Sequence, residues 1–391
     1  MKKLLVFSIL TYLVFTLNSN ADNSTTIVNN TAQKKVLNIG VLLPLTGKHG
    51  DLGESFLKAI QMALYDIDDE NIKIYVKDSK ANALDSYNAS RDFEKLGVTI
   101  VIGPIFYESL ERLNEVNNIT FISLSNKTKK IPNNVIAFGI NIKSQIKTLE
   151  KYFKKIKISK TLLLSPRTKF IDQGVIVKDS DLKFSRVFFY DTNPKKITAE
   201  IEKLTKYHER RKNLERRVKI LENSNLYKDK KELKELEQKH TLGAINFDSV
   251  LILDFDERLK SVLTSFMFSD ISSEEVYFFT LNQWFDATLF KEAAIKNLYF
   301  PGINLKNLKK FKKKYLKIYN KKPNEVSILA YDALGLIYYC WKNNNYEFKA
   351  NQLFDKEGFK GLHGEFTIIN NFSNQKLKIY KVGNNKFVEV Y

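Results

Sequence analysis

Two hydrophobic rhythms trade places along the chain: short continuous apolar runs, and segments whose apolar residues recur three and four positions apart. From Val36 onward this alternation predicts strands and amphipathic helices in turn, as in an α/β protein with parallel sheets. Residues 36–43 (VLNIGVLL) read as a buried strand ended by Pro44, and a loop with Gly47, Gly50 and Gly53 follows. The next helix sets Leu52, Phe56, Ile60, Leu64 and Ile67 on one face. Further strands are expected at 72–76, 98–102, 119–124 and 135–138, with helices over 86–96 and near 109–116. This order is that of a right-handed doubly wound unit. A second unit opens with a helix around 144–153 and has strands at 161–164, 187–190, 249–253, 276–280 and 298–300. Phe311, Tyr315 and Tyr319 then mark one helix and residues 326–341 a strongly apolar one, before a β-meander ends the chain.

One segment breaks the pattern. Residues 197–240 contain no Gly or Pro, and half of the 44 are charged. Ile197, Ile201 and Leu204, then Leu214, Val218 and Leu221, keep helical spacing up to Asn223-Ser224-Asn225, after which Leu226, Leu233 and Leu236 resume it. The spacing predicts two antiparallel helices inserted into the second unit. They are either a solvated cap or a projecting arm that meets a partner. His208, Arg210, Arg211, Arg216 and Arg217 make the arm rich in groups suited to contact, and the four arginines are its candidate partner-binding residues.

The start of the chain has a different character. Lys2 and Lys3 precede an apolar run from Leu4 to Leu17, and Ser19-Asn20-Ala21 offers small residues at a cleavage site. This predicts a secretory signal peptide over 1–21 and a polar tether over 22–35. A membrane anchor is the alternative, but the run is shorter than the ~20 residues of a span. Cys340 is the single cysteine of the 391 residues, so no internal disulfide exists and no lipid-bearing cysteine follows the leader. The expected mature protein is exported to the periplasm, soluble and not lipidated, with no transmembrane segment.

Charge adds less than its size suggests. A formal net charge of +19 invites a polyanion partner. Only nine of the 63 basic residues are Arg, however, and a Lys-rich composition also follows from codon bias. Export argues against nucleic acid and leaves an anionic envelope polymer or membrane surface as the target, if the charge has one.

Motifs for catalysis are missing. There is no G-x-S-x-G elbow, and Gly47-Lys48 lacks the remainder of a phosphate loop. His49, His208, His240 and His363 have no metal-ligand spacing, and the acidic run Asp66, Asp68, Asp69, Glu70 reads as solvated. The chain is expected not to be an enzyme and to need no cofactor or metal. What remains are the loops after the carboxyl ends of the strands, where open α/β sheets bind ligands. Candidate ligand-binding residues there are Thr46, Tyr107, Ser109, Ser123, Ser125, Asn126, Gln283 and Trp284, each of which could instead stabilise its own loop.

At 39–53, IGVLLPLTGKHGDLG, the sequence resembles the type I periplasmic binding proteins, the leucine-binding superfamily. VIGP at 101–104 and Phe311, Tyr315, Pro323 and Ala330-Tyr331-Asp332-Ala333 continue the resemblance. ISLSNKTKKIPNNVIAFG (122–139), HTLGAINFDSVLILD (240–254), LNQW (281–284) and GFKGLHGEF (358–366) look more like the penicillin-binding-protein activator group. The resemblance implies two doubly wound lobes joined by crossover strands, lobe 1 from 36–142 and 302–345 and lobe 2 from 143–301 and 346–391. It implies a partner among peptidoglycan synthases. The alternative is a solute receptor of an ABC transporter, holding an amino acid or another small polar ligand between the lobes. In such receptors small hydroxyl residues follow the third and fourth strands, whereas here Phe106-Tyr107-Glu108-Ser109 occupies the first of these loops.

Overall fold

The protein is described by a computed structural model covering residues 35–167 and 182–391, so the expected leader and all but the last residue of the tether lie outside the described residues. Two sheets organise the chain. In the first, β1 (Leu37–Leu43), β2 (Ile72–Asp78), β3 (Ile100–Ile102), β4 (Thr120–Ser123) and β5 (Val135–Ala137) run parallel in the order β2-β1-β3-β4-β5. The second repeats that order with β6 (Thr161–Pro166), β7 (Phe184–Tyr190), β8 (Ser249–Ile252), β9 (Tyr277–Thr280) and β10 (Leu298–Gly302) as β7-β6-β8-β9-β10.

The central strands of each sheet are buried on both faces, which is why they read as continuous apolar runs rather than alternating ones. Ile39, Val41 and Leu43 of β1 face one core with Ile100, Ile102, Ile122 and Ile136. Leu42, Val101, Phe121 and Val135 face another on the reverse side. In the second lobe Leu163, Leu251 and Phe279 turn the opposite way from Leu162, Val250 and Phe278. Helices cover the faces: α1 (Gly50–Ile67), α2 (Ala83–Lys95), α3 (Ile142–Ile156), α4 (Pro194–Leu204), α5 (Tyr207–Glu222), α6 (Tyr227–Leu236), α7 (Asp256–Phe268), α8 (Leu305–Tyr319) and α9 (Ile328–Lys342). Phe56 and Ile60 of α1 are buried with Leu329 and Ala333 of α9. Cys340 lies within that packing, and burial pushes its thiol up to about 12, so it is a core group and not a nucleophile.

The structure departs from the sequence expectations at three places. Residues 109–116 form two short 3-10 turns, Tyr107–Leu110 and Leu113–Glu115, rather than a helix. Leu110, Leu113 and Val116 are fully buried at three-residue steps, which suits successive 3-10 turns.

The inserted segment contains three helices and not two. α4 belongs to the lobe itself, with Ile197 and Ile201 fully buried beside Val262 and Phe266 of α7. Lys206, in the left-handed region at φ 54°, ends that run, and the hairpin proper is α5 and α6.

The tail divides between the lobes, where the whole of 346–391 was expected in lobe 2. β11 (Phe359–Lys360), β12 (Glu365–Ile369) and β13 (Phe372–Gln375) extend the first sheet, with Phe372 of β13 paired in parallel to Ala137 of β5. β14 (Lys378–Val382) extends the second, antiparallel to β10, and β15 (Phe387–Glu389) pairs antiparallel to β14 at its edge. Each sheet is therefore mixed and not wholly parallel. Asn370 and Asn371, at φ 51° and 61°, make the two-residue turn that folds β12 onto β13.

The chain passes between lobes three times, at 138–141, 302–304 and 375–378. Polar side chains tie these crossings together. The Gln375 amide donates to the carbonyls of Phe138 (3.2 Å) and Gly139 (3.0 Å), and its backbone N–H donates to Ser144 Oγ (3.0 Å). Asn304 N donates to the carbonyl of His363 (3.1 Å), whose buried ring bonds Asp332 through Nδ1 (2.5 Å). Among the described residues no helix is long and apolar enough to cross a membrane.

Candidate functional site

Sheet order places the loops. In each sheet the order reverses between the first and third strands of the unit, β1/β3 and β6/β8, and a crevice opens at the carboxyl ends beside such a reversal. The first crossing runs along the end of β4, with Phe138 N bonded to Ser123 O (2.7 Å) and Gly139 N to Ser125 O (3.1 Å). It enters α3, whose Ile142 lies against Leu253, Asp254, Phe255, Leu281 and Asn282 at the ends of β8 and β9. Those six residues line a small recess open to solvent, with a cavity volume of ≈ 10 Å³. That is below the roughly 300–1,000 Å³ of common small-molecule sites.

Two glycines of the family-like motifs have a steric role here. A Cβ on Gly53 would stand 2.0 Å from Pro44 O, so only glycine lets α1 start against the end of β1. A Cβ on Gly103 would meet Leu42 O at 2.1 Å, and its φ is +106°.

Of the predicted site residues of lobe 1, Thr46, Ser123 and Ser125 are held in hydrogen bonds within the lobe. Thr46 Oγ1 donates to Asp78 Oδ2 (2.5 Å), and Leu45 N donates to Asp78 Oδ1 (2.8 Å). Burial works to raise the pKa of Asp78, but these bonds, with one from Lys80 N, hold it below the ordinary value. Ser123 Oγ donates to Pro104 O (2.9 Å) and accepts from Ser125 N (3.2 Å), while Ser125 Oγ accepts from Lys127 N (3.3 Å). Ser109 is fully buried within lobe 1. Asn126 is exposed. Tyr107 is half-buried, with the Lys127 ammonium 2.9 Å from its ring centroid.

In lobe 2, Gln283 Nε2 donates to Trp284 O (2.8 Å), and Trp284 packs against the main core. Beside them Phe285 N donates to Glu325 Oε2 (3.0 Å), a bond from lobe 2 to lobe 1. Lys312 holds the other oxygen of the same carboxylate.

The loop 254–257 after β8 is among those expected to face a ligand, although the sequence singles out no residue in it. Asp254 is buried and accepts from Tyr190 Oη (2.5 Å), Arg258 Nε (2.9 Å) and Phe255 N (3.0 Å). Burial, and then the bond to Asp254, pushes the Tyr190 phenol far up, so it stays protonated. Phe255 is 41% exposed with the Arg258 guanidinium 5.4 Å from its centroid, a pair open to the crevice. The i, i+4 spacing of Asp254 and Arg258 at a strand-to-helix junction was the available signal. Likewise His49 and Phe106, whose rings are 4.4 Å apart, join the first and third loops of lobe 1. No nucleophile–base pair is assembled among these groups, and among the described residues no cluster of three or more His, Cys, Asp or Glu could hold a metal.

The arm is the second candidate surface, and its four arginines play different parts. Arg210 is buried at the root, donating to Ser269 O (3.1 Å), Asp270 O (3.1 Å) and Thr241 Oγ1 (2.6 Å). Arg217 bridges the two helices to Glu232 with bonds of 2.8 and 2.7 Å. The bridge joins positions equally far from the turn, so α5 and α6 are antiparallel. Arg211 and Arg216 face solvent, the former bonded to Glu215 (3.2 Å).

No family model matches the sequence, and no curated protein matches it. Solved structures do. The C-domain of LpoA from Haemophilus influenzae, a regulator of PBP1A, is 14% identical, with 90% of this chain and 100% of that one covered and a TM-score of 0.60. Full-length LpoA from the same organism is 14% identical with a TM-score of 0.58, and the alignment takes in 92% of this chain and 59% of that one. The leucine-binding protein LivK of Thermotoga maritima is 16% identical over 91% of this chain and 98% of its own, with a TM-score of 0.57. With its two like-ordered sheets and three crossings, the chain has the type I periplasmic-binding-protein fold.

Proposed function

We infer that the chain is a non-enzymatic two-lobe protein of the periplasm, exported by the leader at 1–21, which serves peptidoglycan synthesis by contacting a synthase. One observation carries this reading: two of the hydroxyls predicted to hold a ligand, those of Thr46 and Ser123, are already bonded to neighbouring segments of lobe 1. Ser123 bonds Pro104 O and Ser125 N, and Thr46 bonds Asp78. Exchanging such bonds for bonds to a ligand yields little net energy, since each is worth about 1 kcal/mol either way. The arm meanwhile offers a stiff, charged surface with Arg211 and Arg216 outward. Fold likeness to the LpoA C-domain, a regulator of PBP1A, supports the same reading.

The test is a pull-down of a penicillin-binding synthase by the whole chain and by a variant with α5 and α6 replaced by a short Gly-Ser linker. Capture by the whole chain and loss in the variant, with unchanged circular dichroism, is the expected result. Equal capture by both would remove the arm from the interface.

A solute receptor is the second reading, favoured by the exposed Phe255–Arg258 pair at the sheet reversal and by fold likeness to LivK. Ligand at a hundredfold excess over Kd stabilises a fold by about 2.7 kcal/mol. A thermal-shift screen with amino acids, peptides and wall fragments should therefore leave Tm unmoved. A clear rise with any amino acid would replace the first reading by the second.

A further inference from the structure

The arm ends in three large apolar side chains that no other described residue covers. Ile220 is 56% exposed, Leu226 67% and Tyr227 86%, all beside the turn between α5 and α6. They are not strays from the arm's own core, which Leu214, Leu221 and Leu236 already close with Val218, Leu233 and Leu242. Among them stand Lys219, Lys230 and Lys231, exposed and without an ion pair among the described residues, although Arg217 and Arg211 nearby both have one. Positions 216–232 carry six cationic side chains and three carboxylates, and Arg217 holds one of these, Glu232, which leaves five cations against two carboxylates. One of the two, Asp229, is engaged by the Ser224 hydroxyl.

Apolar groups on the end of a convex protrusion, ringed by unpaired cations, match a surface with an apolar layer beneath an anionic one. A bilayer containing anionic lipid is such a surface, and tyrosine and leucine favour its headgroup boundary. The arm can present these groups in a fixed direction. Arg210 is locked into the lobe at the root, and Arg217 with Glu232 braces the stalk. We propose that the tip of the arm docks on an anionic lipid bilayer, placing Ile220, Leu226 and Tyr227 at the headgroup boundary and Lys219, Lys230 and Lys231 on lipid phosphates. So few inserted groups give reversible attachment that salt weakens. The docking goes beyond the synthase reading and holds equally for a receptor.

The experiment uses the compact unit Lys35–Tyr391, free of the apolar run 4–17 that would bind lipid by itself. It is sedimented with vesicles of phosphatidylcholine alone or mixed with phosphatidylglycerol. Binding to the mixed vesicles, and release at high salt, is expected. The double variant Leu226→Ser/Tyr227→Ser should weaken partition at least about tenfold. Each of Lys219→Gln, Lys230→Gln and Lys231→Gln should weaken it about fivefold. All five side chains are exposed, so the melting curves should not move. Equal partition of parent and double variant, or no preference for the anionic vesicles, overturns the proposal. So does a parent that ignores vesicles yet loses capture of a synthase when the tip is changed, which would assign the tip to a protein.

Discussion

Near the end of α1, Asp66 accepts one bond from Lys314 on α8 and another, 2.6 Å, from Tyr331 on α9. Burial of the carboxyl tends to raise its pKa, and these two bonds reverse the effect, leaving it below the ordinary 3.8. The run Asp66–Glu70 was expected to be solvated, and this member instead clasps three helices. A depressed carboxyl contributes stability that is full above its unfolded value and is lost as pH falls through the folded one. Asp66→Asn should thus cost about 1 kcal/mol at neutral pH, discounted for solvent screening. The gap between parent and variant should close below about pH 3.8. Urea titrations across that range measure it, and a gap independent of pH would show that the ion pair is not the cause. The partners of such residues were invisible in the sequence for one reason. Tyr331 is 265 positions from Asp66, and Ser123 finds Pro104 O by fold rather than by spacing.

Elements with an unbroken local pattern were legible. β1, β3, β4 and β6 are buried on both faces, so their apolar runs announce them, and α1 shows its stripe plainly. The arm was legible as a helical insertion but not in its bounds. Ile197 and Ile201 keep step with the apolar positions of α5, and the break at Lys206 is made by a lysine in the left-handed region, where glycine or asparagine would have signalled it. Of the arginines picked out in the arm, Arg210 proves to be its root. Arg210→Ala removes donors to two carbonyls and a hydroxyl and leaves them buried, which should cost about 2–3 kcal/mol locally. Hydrogen exchange should then speed up across 207–236 while β6 and β8 stay protected. Uniform loss of protection through lobe 2 would mean that arm and lobe unfold together.

On the scale of the molecule, the two lobes share their last element. The tail gives three strands to one sheet and two to the other, a division that no local pattern encodes, since β13 becomes a strand of lobe 1 only by meeting β5. Ending the chain after Lys376 removes β14 and β15, and with them the Tyr380 hydroxyl that Leu305 N bonds at the second crossing (3.0 Å). The shortened chain should lose its cooperative thermal transition. A melt like that of the parent would show that lobe 2 closes without its tail.

The pairing of the tail with β5 also sets a clock. Ser373 and Phe138, which it brings within hydrogen-bond distance, are 235 residues apart. At about 5–20 residues per second, synthesis needs roughly 10–50 s to supply the second after the first. Throughout that interval Val135 and Ile136 belong to a strand with one side unpaired, a template for other nascent chains. Final-strand docking makes the newborn chain dependent on whatever keeps it apart from its neighbours until its last residues arrive.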